Sequence, residues 1–358
     1  MRIERLTATD VRNLHDVTLH PAPHLNLFQG PNGAGKTALL EAIYLLARGR
    51  SFRTPRVADV VRHAAERLRV SASVLHGDGA PVMTGVERGA GHLVLRYNGE
   101  AVRTVSAHAR RFPLVVISPD SQQLVLGEPA LRRDWLDWAM FHVEPAYLDH
   151  WRDYHRALRQ RNRLLKNTAS TMEMNGWEET MARSGAALDR ARREFLARLQ
   201  ASFQDFAVGT WAHASELRLR SGWDAEMPLA EGWGRWRAAD LQCGFTRQGP
   251  HRADIEFLCE NNKLASSYSR GESKLFLCVL MLAEASVMAE MLGEPPVLLI
   301  DDFGAELDPG ARAHLLGLLK RSRAQAFLTT TVIERPEALP EGALRFHVEQ
   351  GRLLEMIE

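Results

Sequence analysis

Paired cysteines are missing from this chain. Its three cysteines, Cys243, Cys259 and Cys278, are scattered along 358 residues. That spacing excludes a disulfide framework and the Cys-x-x-Cys pattern of zinc or redox sites, and it points to a reducing compartment. Long apolar runs are missing as well. The richest stretch, around Leu275–Met291, is broken by Glu284, short of the roughly 18 uninterrupted apolar residues of a membrane span. The opening MRIERLTATDVRN has no apolar core of a signal peptide. A cytoplasmic protein with no membrane partner is expected. Excess charge is absent too: 45 Lys and Arg against 44 Asp and Glu leave a net +1. Bulk charge therefore excludes a polycation, and any affinity for nucleic acid has to reside in local patches. There are no internal repeats and no low-complexity linker.

Two local patches are present. Between Arg48 and Arg69 there are seven arginines against Asp59 and Glu66, and RALRQRNRLLK (156–166) carries five basic residues with no acid. Either can be a solvated face rather than a binding surface. HLNLFQG (24–30) reads as a strand and KTALLEAIYLLARG (36–49) as a helix that stops at Gly49. From Leu68 to Ser118 the pattern is β, with Asn98-Gly99 marking a hairpin. Tyr147, Trp151, Tyr154, Leu158, Arg161 and Leu165 then share one helical face, and Trp177, Met181, Ser184, Leu188, Ala191 and Phe195 repeat that spacing after the polar break KNTASTMEMNG. Two such stripes predict an antiparallel helical arm whose aromatic residues are mostly core. β character returns over 244–265. A long helix after Ser269, the strand PVLLI (296–300), a helix over Ala311–Ser322, the strand AFLTTT (326–331) and a last hairpin about Gln350-Gly351 complete the reading.

GPNGAGKT (30–37) has the form G-x-x-x-x-G-K-[ST] between a predicted strand and a predicted helix, the context a phosphate-binding loop requires. Gly30, Pro31, Asn32, Gly33, Ala34 and Gly35 form the turn, whose glycines let backbone N–H groups wrap phosphate oxygens. Lys36 supplies a charge to the β- and γ-phosphates and Thr37 a hydroxyl for Mg²⁺. VLLIDD (297–302) reads as a buried parallel strand ending in two carboxylates, beside the phosphate loop in an open α/β sheet. Asp301 is expected to hold the metal, and Asp302 to orient or deprotonate the attacking water. SYSRGESK (267–274) reads as a helix start with Ser269 as cap, Gly271 exposing backbone N–H groups and Glu272 in the first turn, an anion-facing end far from the phosphate loop.

The order of these motifs resembles the ABC-type ATPase heads of the SMC-like DNA-repair branch, and within it the RecF family of bacterial recombination mediators. GPNGAGKTALLEAIYLLARGRSFRT, SPDSQQLVLGEPALRRDWLDW, GPHRADIEF, SRGESKL and IDDFGAELD carry the resemblance across nearly the whole chain. It implies an α/β fold, an ABC-type P-loop ATPase head with a mixed sheet, a flanking antiparallel β lobe and an inserted α-helical arm. On this reading, 1–125 and 209–358 are the two parts of the head and 126–208 the arm.

The resemblance also implies ATP and Mg²⁺ as cofactors and an ATP-dependent homodimer. Ser269 and Gly271 of one copy would reach the γ-phosphate held by the other, and Glu306, Leu307 and Asp308 would cross the interface. Arg12 and Asn13 match a motif near the phosphates, and Asn32 a side chain facing the γ-phosphate. The implied partners are duplex DNA at gaps or junctions, RecR and RecO, and RecA indirectly. The implied activity is a weak, DNA-stimulated ATPase of the nucleoid, with Arg50, Arg53 and Arg56 as candidate DNA contacts. Departures from the transporter pattern are Asp302 in place of glutamate, Arg270 in place of a second glycine, and Thr330 or Thr331 where a switch histidine stands. Gln122 or Gln123 stands in for a lid glutamine, and His251 and Arg252 have no evident chemistry. These departures point to slow hydrolysis and weigh against the alternative, an ATPase subunit with a transport partner.

Overall fold

The computed structural model describes residues 1–77, 79–166, 171–331 and 339–356. In chain order, β1 (Arg2–Val11), β2 (Leu14–Leu19) and β3 (Leu25–Gln29) lead into α1 (Lys36–Arg48). After these come β4 (Arg67–Leu75), β5 (Val82–Gly89), β6 (His92–Tyr97), β7 (Glu100–Ala101), α2 (Val105–Ala109) and β8 (Leu114–Ile117). Helices α3 (Gln123–Leu126), α4 (Pro129–Val143), α5 (Tyr147–Lys166) and α6 (Thr171–Ala207) follow. Next are β9 (Ser215–Arg220), α7 (Leu229–Cys243), β10 (Asp254–Cys259), β11 (Asn262–Lys263) and α8 (Leu264–Ser267). The chain ends with α9 (Arg270–Leu292), β12 (Val297–Ile300), α10 (Pro309–Ser322), β13 (Ala326–Thr330), β14 (Leu344–Glu349) and β15 (Arg352–Met356).

The chain forms two compact units. One comprises Met1–Gln122, Asp205–Ala212 and Ser269–Glu358; the other comprises Gln123–Gln204 and His213–Tyr268. Residues 213–268, which the sequence reading assigns to the C-terminal part of the head, thus group with the helical segment. The reason is local pairing: β10 lies antiparallel to both β9 and β11, and α4 carries Arg132, whose Nε and Nη2 donate to Asp254 at 2.7 and 3.1 Å.

In the first unit two six-stranded sheets form, one antiparallel in the order β2-β1-β4-β5-β6-β7 and one mixed in the order β15-β14-β3-β13-β12-β8. In the mixed sheet β3, β8, β12, β13 and β14 run parallel, and β15 closes the edge as an antiparallel hairpin partner. Strands β3 and the uniformly apolar β12 are buried at every position, as parallel strands covered on both faces must be. Helix α1 shares one core with residues of both sheets, from Ile3 and Val70 to Phe327 and Val348. Eleven of its thirteen residues are buried, so it has no solvent face of its own. It stops where expected, at Gly49, which adopts φ +63° and donates its N–H to the Leu45 carbonyl. Helix α9 is long and apolar enough by composition to cross a membrane, but its apolar window is 67% buried and it packs on β8 and α10 as a core helix.

The predicted hairpins form at Asn98-Gly99 and Gln350-Gly351, with positive φ at all four residues. The arm helices form as well, although α6 starts at Thr171, inside the polar run expected to interrupt it; positions 167–170 lie outside the described residues. Tyr154, Leu158, Arg161 and Leu165 are buried, as are Met181, Leu188 and Phe195. The run 156–166 is therefore not one basic face. Arg161 is fully buried, donating to Glu178 at 2.9 Å, Asp240 at 2.8 Å and Thr246 Oγ1 at 2.7 Å. Its charge is matched where it lies, which makes it a structural residue.

His251 and Arg252 also receive a structural account. Tyr154 donates its hydroxyl to His251 Nδ1 at 2.7 Å, and Nε2 faces the Thr246 carbonyl at 3.1 Å, an arrangement that suits the neutral ring. The Arg252 guanidinium stacks over Phe245. Burial pushes the His251 imidazole down to about 4, and His155, packed on Trp151, down to about 4 for the same reason. Between the ordinary value of 6.5 and about 4 the unfolded chain binds protons that the folded chain refuses. Stability is therefore expected to fall as pH drops through that window. Urea midpoints at pH 7 and pH 5 test this: His251→Gln should shrink the difference, and a wild-type midpoint that does not fall at pH 5 refutes it.

Candidate functional site

β3 delivers the chain to the interior of the mixed sheet, and residues 30–35 turn it into α1. The turn fits only because Gly30 has no side chain: a Cβ there would stand 2.2 Å from the Val348 carbonyl of β14. Pro31, Asn32 and Gly33 are exposed at the rim, and Ala34 is buried. Gly35 is the N-cap of α1 in the left-handed region, with no side chain capping the helix. The first-turn N–H groups are thus offered to an anion rather than to a cap. The Lys36 ammonium lies in the turn, donating to the Gly30 and Pro31 carbonyls at 2.6 and 2.9 Å. Burial lowers its pKa, while Asp302 and Asp301 pull it back up. From the other side, Gly351 of the β14–β15 hairpin donates to the Ala34 carbonyl at 2.8 Å. The sequence predicts that hairpin but not its place beneath the loop.

The two carboxylates follow β12. Thr37 Oγ1 donates to Asp301 Oδ1 at 2.9 Å, across 264 residues of sequence. The same oxygen accepts from Thr329 Oγ1 at 2.7 Å, and Thr329 Oγ1 accepts from the Asp302 N–H at 2.8 Å. Thr329 is a site residue the sequence reading misses. Of Thr330 and Thr331, which stand at the position of a transporter's switch histidine, Thr330 is buried in register with Gln29 and Thr331 is exposed beyond the strand. Thr329 is the threonine of this strand that bonds Asp301 and Asp302, and three consecutive threonines hide it in the sequence. Asp302 holds a left-handed backbone, φ +57°, at the turn out of the strand. Among the described residues no group of three or more His, Cys, Asp or Glu could cage a metal. A hydroxyl and a carboxylate converging as Thr37 and Asp301 do are hard oxygen donors of the kind Mg²⁺ takes alongside phosphate oxygens and water, so the residues fit that ion.

Ser269 caps α9 in a full capping box: its hydroxyl accepts from the Glu272 N–H at 3.3 Å, and the Glu272 carboxylate accepts from the Ser269 N–H at 2.8 Å. Gly271 is required for a reason separate from N–H exposure, since a Cβ there would stand 2.9 Å from the Glu306 carbonyl. Lys274, one turn on, donates to the Asp302 and Ala305 carbonyls at 3.2 and 2.7 Å. Gln122 donates to Glu306 Oε2 at 3.2 Å. A cavity of about 100 Å³ opens here, lined by Asp301, Asp302, Glu306, Gln122 and Lys274. Asp308, expected to cross to a second copy, caps α10 within its own chain, accepting from the Gly310 and Ala311 N–H groups at 2.8 and 3.0 Å. Those bonds hold its carboxyl below the usual range.

The turn between β1 and β2 brings Asn13 to the phosphate loop, where Nδ2 donates to the Gly33 carbonyl at 3.2 Å. Its neighbour Arg12 turns elsewhere. The guanidinium forms a two-pronged pair with Glu41 of α1, at 2.7 and 2.9 Å, and also reaches the Asp59 carbonyl. Glu41 raises the Arg12 pKa. Arg50, Arg53 and Arg56 are exposed on the segment that follows α1. The structure thus gathers Gly30 to Thr37, Asn13, Asp301 and Asp302 at one place, with the Ser269 helix start joined to the loop after Asp302. Arg12 and Asp308 are occupied by partners in their own chain.

The family model of the RecF/RecN/SMC N-terminal domain matches residues 2–337. The DNA replication and repair protein RecF of Chromohalobacter salexigens is 39% identical over 99% of both chains, and that of Azotobacter vinelandii 37% identical over 99% of both. The structure is similar to that of the recombination mediator protein RecF-ATP in the RecFOR pathway, with a TM-score of 0.87 and 26% identity over 99% of this chain and 97% of that one. An SMC head bound to the C-terminal winged-helix domain of ScpA shares the fold, with a TM-score of 0.59 and 15% identity over 99% and 98%.

Replacing Thr329 by valine keeps the side-chain shape but removes both hydrogen bonds around the carboxylates. The loss of a satisfied buried group is expected to destabilise the chain by about 1–3 kcal/mol. Denaturant unfolding measures it, and an unchanged midpoint removes Thr329 from the site.

Proposed function

This chain belongs to the RecF/RecN/SMC family, to the RecF proteins of DNA replication and repair, and we propose that it is an ATP-dependent DNA-binding protein that clamps duplex DNA near single-strand gaps and junctions. The observation that carries this reading is the Thr37–Asp301 hydrogen bond, which joins the phosphate loop to the strand-end carboxylates. ATP binds with its phosphates on the bare first turn of α1, and Lys36 leaves the Gly30 and Pro31 carbonyls for the β- and γ-phosphates. Thr37 and Asp301 would hold Mg²⁺, which would supply neutralisation of phosphate charge. Asp302 accepts a hydrogen bond from the attacking water and takes its proton. A carboxylate one methylene shorter than glutamate reaches that water less well, so turnover is slow and ATP serves more as a dimerising ligand.

The second half of each site comes from a second copy. Ser269 and Gly271 present the start of α9 to the γ-phosphate held by the partner, which explains an anion-facing helix start so far along the chain from Gly30. The closed dimer forms a groove, and Arg50, Arg53 and Arg56 contact duplex phosphates without reading sequence. Hydrolysis opens the dimer and releases DNA. The RecFOR pathway named for the solved RecF relatives supports RecO and RecR as partners; a cytoplasmic setting and RecA loading as the outcome belong to the same proposal.

Sedimentation velocity with and without ATP, Mg²⁺ and gapped duplex DNA tests the dimer. Wild type should shift to dimer only with ATP. Ser269→Arg should bind ATP but stay monomeric, and its dimerisation would discard the shared site. For DNA, neutralising Arg50, Arg53 and Arg56 together should weaken binding and flatten the slope of log affinity against log salt by about 0.9 for each phosphate these arginines no longer neutralise. An unaltered slope takes this segment out of the DNA interface.

A further inference from the structure

Glu41 is the one acidic residue of α1, and it is fully buried in a helix otherwise apolar over its buried positions apart from Lys36. A buried ion pair is weak evidence for stability, since a well-packed apolar residue often does as well or better. The partners of Glu41 indicate what it does instead. Arg12 holds both carboxylate oxygens, and the Ser51 hydroxyl donates to Oε1. Ser51 Oγ in turn accepts from the N–H groups of Arg53 at 2.9 Å and Thr54 at 3.2 Å, so this hydroxyl uses its one donor and both acceptor positions. Thr54 Oγ1 continues the chain, donating to Asp59 Oδ2 at 2.9 Å and accepting from the Arg56 N–H at 3.1 Å. Phe52 seats the same segment on α1 by edge contact with Tyr44, ring centroids 5.2 Å apart.

On the other side of Glu41, Arg12 is followed by Asn13, which bonds the Gly33 carbonyl of the phosphate loop. Glu41 is also four residues beyond Thr37, on the same helix face. One buried carboxylate therefore links the phosphate loop, through Arg12 and Asn13, to the backbone that presents Arg53 and Arg56, through Ser51.

We propose that Glu41 and Ser51 are positioning residues that set the geometry of the 50–56 segment according to whether a nucleotide occupies the phosphate loop. A phosphate that draws the loop's donors inward moves Gly33 and Asn13, and Arg12 passes that shift to the carboxylate on which Ser51 rests. The proposal rests on the ATP assignment above for its trigger and on the DNA assignment for its consequence, and the two are separable by experiment. The trigger is read by amide hydrogen exchange over residues 50–56 in the full-length protein, with and without ATP and Mg²⁺. Wild type should show ATP-dependent protection of this segment.

Ser51→Ala deletes one hydroxyl at a half-buried position and should fold. It should keep its ATP affinity within about twofold while losing the ATP-dependent change in exchange. The ratio of gapped-duplex affinity with ATP to that without should drop by roughly tenfold, the worth of one hydrogen bond to a charged group. Glu41→Gln, which keeps the shape and one acceptor, should do the same where it folds. Equal ATP-dependent protection in wild type and Ser51→Ala overturns the proposal, as does a wild-type segment that ignores ATP. If protection follows expectation but neutralising the three arginines leaves DNA binding intact, the coupling stands and the DNA assignment of the segment falls.

Discussion

A helix that begins on a phosphate loop must leave its first N–H groups bare, and everything else in the site depends on how α1 is held while they stay bare. It cannot be anchored at its own start, because a capping side chain there would compete with the anion. It is anchored by its flanks: the antiparallel sheet and the mixed sheet both bury it, and eleven of thirteen residues lie inside. The order β14-β3-β13-β12 follows from that burial. β3 has to lie inside the sheet to feed the helix, and β13 separates it from β12 by one strand. That spacing lets the Thr37 side chain, at the foot of the helix, meet Asp301 at the end of β12, with Thr329 of the intervening strand bonding to the same carboxylate.

Much of this is legible in the sequence, and the parts that are not share a physical reason. The phosphate loop, α1 with its Gly49 stop, the buried strand before Asp301, the Ser269 cap and both Asn-Gly and Gln-Gly turns are short-range features, fixed by residues a few positions apart. The stripes of α5 and α6 belong to the same class. The Gly351 contact with Ala34, the Glu41–Arg12 pair, the Lys274 bonds to residues 302 and 305 and the role of Thr329 are long-range. No local pattern marks them, because each depends on which strand lies next to which. Arg161 shows the limit from the other side. A run of five basic residues reads as a charged face, yet helical geometry turns one of them inward, where Glu178 and Asp240 wait from other helices. The grouping of 213–268 with the helical unit is hidden for the same reason, since it rests on strand pairing and on Arg132 meeting Asp254.

The start of α9 brings these threads together. Ser269 and Arg270 at its start are exposed, but the helix is tied to the loop that follows the carboxylates: Lys274 donates to the carbonyls of Asp302 and Ala305, and Gly271 leaves room only for the Glu306 carbonyl. Asp302 and Glu306 both occupy the left-handed region, which costs free energy for residues with a side chain and persists only where neighbours hold it. The helix start and the backbone of Asp302 therefore cannot shift independently within one chain. In the proposed dimer each helix start would meet the phosphate bound by the other copy, so each phosphate would act on a helix whose Lys274 is bonded to the main-chain carbonyls of Asp302 and Ala305 in its own chain. Two sites joined in this way in that dimer would respond as a pair. Such coupling would require no long pathway, only the Lys274 ammonium reaching two carbonyls of the turn that follows β12.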